Sequence, residues 1–171
     1  ASCATEVGEG PLWNDAEQAL YWIDVSRGAV YRSSYKNPKD SFEHWQLNIG
    51  KIGGAVFTKE GFMLLFAACG RVWKWKPGTE PELKAELKEA AESRFNDVIA
   101  DPSGRVFCGV APLVPGGTGS LWRMDEDCSF TCIEPLTRGM PNGMGFSPDL
   151  KDFYFTVTNE RTIYRYSYNR R

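Results

Sequence analysis

The sequence predicts an all-β fold arranged as a β-propeller. Three observations predict it: a pattern that returns about every 44 residues, turn residues at matching places in each return, and strands whose side chains alternate. Internal repeats of this length mark stacked supersecondary units, and a period of about 40–50 residues is that of a four-stranded propeller blade.

The four copies are Gly10–Tyr35, Gly54–Lys76, Asp97–Arg123 and Gly143–Tyr166. Trp13, Phe57, Ala100 and Phe146 hold equivalent places, 44, 43 and 46 residues apart. Each copy opens with a short apolar run and meets a polar turn: Asn14-Asp15, Lys59-Glu60-Gly61, Asp101-Pro102-Ser103-Gly104 and Ser147-Pro148-Asp149. Asp supplies a side-chain acceptor, Pro a fixed φ and Gly a free φ, which tight turns require. Second strands are predicted over Leu20–Val25, Phe62–Ala68, Val106–Ala111 and Phe153–Thr158. Third strands are predicted over Ala29–Tyr35, Arg71–Lys76, Ser120–Asp125 and Thr162–Tyr168. Val72-Trp73-Lys74-Trp75 and Ile163-Tyr164-Arg165-Tyr166 alternate with the period of two that gives a strand two different faces. Fourth strands fall at Phe42–Leu47, at Phe130–Glu134 and at Glu82–Leu87, whose composition also suits a helix. An eight-stranded sandwich is the structural alternative, but it does not account for the fixed period.

Four blade starts are present and the last copy has no fourth strand, so the chain holds about three and a half to four blades. Such a sheet array leaves unpaired edges, which closure of a propeller removes. The expectation is that residues 1–171 form the N-terminal part of a single propeller domain. The C-terminal blades would come from a missing segment, a complementary chain or a partner copy.

Composition narrows the function classes. The net charge is −2 and no long basic run occurs, which disfavours nucleic acid as a partner. Lys84–Glu92 alternates sign and reads as a solvated face or a short helix. No stretch approaches the ~20 apolar residues of a membrane span, so no membrane role is expected. Cys3, Cys69, Cys108, Cys128 and Cys132 form no CxxC pair, which favours buried reduced thiols and a cytoplasmic location. Cys128 and Cys132 would share a face if their segment is a strand. His44 is the only histidine, so Ser-His-Asp and Cys-His arrangements are disfavoured. His44 lies in an outer-strand segment at the surface. Tryptophans such as Trp73 and Trp75 are expected to pack between blades rather than to stack on bases.

Three polar clusters precede inner strands: Gly8-Glu9-Gly10-Pro11, Arg94-Phe95-Asn96-Asp97 and Pro141-Asn142-Gly143. The repeat sets them at one level, facing the central channel, so Glu9, Asn96 and Asn142 are expected to converge. A carboxylate with two amide oxygens is a hard donor set, suited to Ca²⁺, Mg²⁺ or Mn²⁺ and tolerated by Zn²⁺. Gly53 is the second-blade equivalent and is expected to leave space there. Singly, each cluster has an ordinary explanation: Asn142-Gly143 as a turn dipeptide, Glu9 as a solvated acid, Arg94 and Asp97 as a surface pair.

GEGPLWN followed by LYWID, RFNDVIADPSGRVFCG, and PNGMGFSPDLKDFYFT resemble successive segments of the gluconolactonase and regucalcin (senescence marker protein) family. The second carries an RxND segment with a DPxGxxxxG hairpin, and the third an NG-x-x-x-SPD pattern. The resemblance implies a six-bladed propeller with a divalent metal in its channel and hydrolysis of lactones. It implies that Glu9 and Asn142 are metal ligands, with Ca²⁺ favoured over Zn²⁺, Mg²⁺ and Mn²⁺. A further Asp ligand, also the base, would lie outside this chain. By the same resemblance Asn96 and Arg94 are the catalytic and substrate-binding residues, contacting a small-molecule lactone. Gly109-Val110-Ala111 departs from the family's Gly-Thr-Met, which bears on substrate choice. Pro112–Gly119 would be a loop over the channel mouth. The alternatives to a metal-dependent lactonase are a non-catalytic binding module, and a fragment inactive without a complementary chain.

Overall fold

A computed structural model describes residues 5–36, 42–114, 117–135 and 139–170. Its strands fall into four separate antiparallel sheets that follow one another along the chain. Blade 1 is β1 (Gly8–Asn14), β2 (Ala19–Asp24), β3 (Ala29–Ser34) and β4 (Phe42–Gln46); blade 2 is β5 (Ile52–Phe57), β6 (Met63–Ala67), β7 (Arg71–Trp75) and β8 (Glu82–Glu86). Blade 3 is β9 (Ser93–Ala100), β10 (Val106–Pro112), β11 (Ser120–Met124) and β12 (Phe130–Pro135); blade 4 is β13 (Pro141–Phe146), β14 (Asp152–Val157) and β15 (Thr162–Ser167). Within each sheet, strands are ordered as they occur in sequence. This is the propeller-like arrangement predicted, and it excludes a two-sheet sandwich. Every predicted second, third and fourth strand forms, with ends shifted by a residue or so. Glu82–Glu86 is a strand, and the helical character of its neighbourhood is confined to a 3-10 turn at Lys88–Ala90.

The core lies between blades rather than within them. Tyr21, Ile23 and Val30 of blade 1 pack against Ile52, Met63, Leu65 and Trp75 of blade 2. Phe66 and Val72 of blade 2 meet Phe95, Cys108 and Met124 of blade 3. Phe107 and Leu121 of blade 3 meet Phe153, Phe155 and Val157 of blade 4. Burying a large apolar side chain contributes about 1.5–3 kcal/mol, so each contact surface is a substantial source of stability. A blade with neighbours on both sides must be apolar on both faces. Accordingly β6 (MLLFA) and β10 (VFCGVAP) are buried almost throughout, whereas β14 alternates strictly between buried and half-buried positions. Trp75 stands edge-on to Trp45 across blades 1 and 2, with ring centroids 5.5 Å apart, the inter-blade role expected of it.

Two buried carboxylates fasten the scaffold. Asp24 accepts backbone N–H groups from Glu6 at 2.8 Å and Arg27 at 3.2 Å, tying the approach to β1 onto the β2–β3 turn. Asp101 accepts from Arg105 Nε at 2.7 Å and from the Tyr168 hydroxyl at 2.8 Å, locking the first hairpin of blade 3 to the end of blade 4.

Two expectations are corrected. Cys128 sits in the β11–β12 turn with φ of 68°, while Cys132 is on β12, so the two do not share a strand. Among the described cysteines only Cys108 is buried: Cys69 and Cys128 are half-buried and Cys132 is exposed. Cys3 lies outside the described residues. His44 is exposed on β4, as predicted, and stacks on Tyr31 at 5.6 Å.

Candidate functional site

Each of the four inner strands breaks its ladder near its start. The irregularity falls between Glu9 and Leu12 in β1, Ile52 and Gly54 in β5, Phe95 and Val98 in β9, and Asn142 and Gly145 in β13. A bulge turns side chains out of the regular alternation. Glu9 and Asn142 each directly precede a bulge glycine in the left-handed region, Gly10 at φ 57° and Gly143 at φ 54°. The β9 bulge begins one residue earlier relative to the motif, so Asn96 and Asp97 both lie inside it.

These bulges line one cleft of about 270 Å³, bounded by Val7, Glu9, Gly53, Arg94, Asn96 and Asn142 among others. Four side chains singled out in the sequence, from three blades, thus meet in one place. The volume falls just under the ~300–1,000 Å³ usual for ligand pockets, and suits a small molecule.

Arg94 donates from Nη1 to the Asn96 Oδ1 at 2.7 Å and to the Phe95 carbonyl at 3.1 Å. Asn96 in turn donates from Nδ2 to the Pro141 carbonyl at 2.8 Å. The Asn96 amide is therefore held at both ends, and Arg94 lines the cleft. Burial lowers the Arg94 pKa, with the Glu9 charge opposing that shift; a guanidinium stays charged regardless.

Asp97 does not pair with Arg94. Its Oδ1 accepts the Val98 N–H at 2.9 Å and its Oδ2 accepts the Met144 N–H of blade 4 at 3.1 Å. Gly53 is also corrected. It lines the cleft, but a Cβ there would overlap the Phe95 carbonyl, so the glycine permits close approach of β5 to β9 and creates no open space. Val7, Val25 and Met140 line the cleft unforeseen. Pro112–Gly119 includes residues 115–116, which lie outside the described residues.

Among the described residues no three His, Cys, Asp or Glu side chains gather as a ready cation cage. The side-chain oxygen donors of the cleft are the exposed Glu9 carboxylate, the half-buried Asp97 carboxylate and the half-buried Asn96 and Asn142 amides. Asp97 and Asn96 are tied to other elements, whereas the Asn142 Oδ1 accepts only from the adjacent Gly143 N–H, at 3.1 Å, so Glu9 and Asn142 are the donors that could turn to a hard divalent cation. They would make part of the six to eight oxygens Ca²⁺ takes, or of the six around Mg²⁺.

Comparison with known proteins identifies the family. The model for the SMP-30/Gluconolactonase/LRE-like region matches residues 7–171. A pentonolactonase of Haloferax volcanii is 41% identical over 163 residues, covering 95% of this chain and 54% of that protein. A 6-deoxy-6-sulfogluconolactonase of Pseudomonas putida is 31% identical, with 94% and 54% covered. The chain thus spans about half the length of these relatives. In fold it is similar to a calcium-binding protein, regucalcin, from Agrobacterium tumefaciens, with a TM-score of 0.86 at 21% identity over 98% of this chain and 56% of that one. The chain belongs to the SMP-30, gluconolactonase and LRE-like family.

Proposed function

We propose that this chain carries part of the active site of a metal-dependent sugar-lactone hydrolase. The observation that carries the reading is the meeting of Glu9, Arg94, Asn96 and Asn142 in one cleft, in a chain 41% identical to a pentonolactonase. The reaction adds water across the lactone C–O bond: the acyl–oxygen bond breaks, the water oxygen joins the carbonyl carbon, and the ring oxygen takes a proton.

Glu9 and Asn142 would hold the divalent cation, with other ligands supplied from outside the described residues. When bound, such a cation supplies Lewis-acid polarisation of a carbonyl and makes water a stronger acid. Arg94 orients substrate. Two acceptors fix its Nη1, so its other N–H groups point a planar, permanently charged donor at hydroxyl and carbonyl oxygens. Asn96 holds that guanidinium in register with blade 4. Asp97 is not the base of this scheme, because both of its oxygens already accept backbone N–H groups.

The test is hydrolysis of pentono- and hexonolactones followed by acid release, with EDTA and then with added Mn²⁺ or Ca²⁺. Cation-dependent turnover lost in Arg94→Gln is expected. Lactone binding without turnover under any cation would assign a binding module, and neither binding nor turnover would end the reading.

A further inference from the structure

We propose that Asp97 is a positioning residue for Asn142, pinning the β13 bulge from the neighbouring blade. The proposal rests on the reading of the cleft as a cation-holding hydrolase site. The backbone on either side of Asn142-Gly143 is held by two consecutive residues of β9. Before it, the Pro141 carbonyl accepts from Asn96 Nδ2 at 2.8 Å. After it, the Met144 N–H donates to Asp97 Oδ2 at 3.1 Å.

Within this span β14 pairs only with Asn142, opposite Thr156, and Gly143 and Met144 fall in the bulge. Gly143 has left-handed φ, a conformation easily exchanged for others at glycine. Among the described residues, the one side-chain hydrogen bond of Asn142 is to the N–H of adjacent Gly143, at 3.1 Å. The direction of the Asn142 side-chain oxygen is therefore set by the bulge, and the bulge by its anchors. Asp97 suits the task because a carboxylate is acceptor-only at both oxygens. One oxygen takes the Val98 N–H and thereby aims the other across the blade boundary. An amide at position 97 would present an N–H₂ group to one of these two donors.

Groups that orient a ligand-bearing residue typically change metal affinity about 10–100-fold when altered. The experiment titrates the protein with Mn²⁺ alone, read by electron paramagnetic resonance, for native protein, Asp97→Asn, Asn142→Ala and the double variant. Melting in EDTA is recorded for each. The expected result is Mn²⁺ affinity reduced about 10–100-fold by Asp97→Asn, with a small shift in the EDTA melting midpoint. In the Asn142→Ala background the same change should have almost no further effect, since interacting sites are non-additive.

Native-like affinity in Asp97→Asn, or an undiminished loss in the Asn142→Ala background, overturns the positioning role while leaving the cleft reading intact. Absence of Mn²⁺ binding by native protein overturns the cleft reading and this proposal with it. If Asp97→Asn does not fold, Asp97→Glu replaces it under the same criteria, since it keeps the charge and both acceptors and changes only the reach.

Discussion

Arg94 and Asn96, two residues apart on β9, are joined side chain to side chain by a 2.7 Å hydrogen bond from Nη1 to Oδ1. Under the proposed function this bond would make the two a single recognition unit. Arg94→Lys keeps a positive charge but loses the planar fork that serves Asn96 and, under the proposed function, would serve substrate too. A charge-assisted hydrogen bond contributes about 1.5–3 kcal/mol, so kcat/KM for lactones should fall on the order of 10- to 100-fold. Steady-state kinetics on pentonolactones checks this, and an unchanged kcat/KM would remove Arg94 from the site.

Glu9→Gln should weaken divalent-cation binding with little loss of fold stability. The side chain is exposed, and substitutions at such positions usually shift stability within about ±0.5 kcal/mol. Calorimetric titration with Ca²⁺ measures the first quantity and denaturant unfolding in EDTA the second. Undiminished cation affinity would show that this carboxylate is no ligand.

Gly53→Ala should destabilise the protein by about 1–3 kcal/mol or more, the usual cost of overpacking. The added methyl would collide with the Phe95 carbonyl of β9, which is backbone and has little freedom to retreat. Urea unfolding checks the value. A neutral result would mean that β5 and β9 do not approach as closely as described.

Acid should expose the Asp101 clamp. Burial alone would raise this carboxyl, but hydrogen bonds from Tyr168 and Arg105 outweigh it and hold the pKa below the ordinary carboxylate value. A pKa lowered by folding contributes stability that is complete above the unfolded value, about 3.9, and is lost as pH falls through the folded value. Asp101→Ala should therefore cost about 3–5 kcal/mol at neutral pH, as for one partner of a buried ion pair. The deficit should shrink when unfolding is repeated below pH 4. A deficit independent of pH would assign the cost to packing.

Thiol reactivity should divide the cysteines. Cys132 is exposed, whereas Cys108 is fully buried and burial pushes its thiol pKa far up. A maleimide should label Cys132 in native protein and Cys108 only after denaturation. Peptide mass mapping distinguishes them, and native labelling of Cys108 would mean that blades 2 and 3 part readily.

Much of the fold was legible because its signals are local. Turn chemistry at Asp101-Pro102-Ser103-Gly104 and alternation at Ile163-Tyr164-Arg165-Tyr166 can be read within a few residues. The strand at Glu82–Glu86 was ambiguous because its Glu-, Lys- and Ala-rich composition also favours helix, and pairing with β7 decided it. Gly53 was read as space because an absent side chain leaves no trace of what approaches it. Cys128 and Cys132 were misjudged because a turn residue with positive φ breaks the face relation that a spacing of four assumes.

The amino-acid order by itself determined an all-β, four-copy repeat, since period and patterning are properties of neighbouring residues. It also marked which polar residues begin the inner strands. Only the tertiary structure decided that residues of blades 1, 3 and 4 share one cleft, and that Asp97 reaches Met144 instead of Arg94. Those outcomes depend on how twisted sheets dock and where each ladder bulges, and contacts between residues 47 apart leave no local pattern to read.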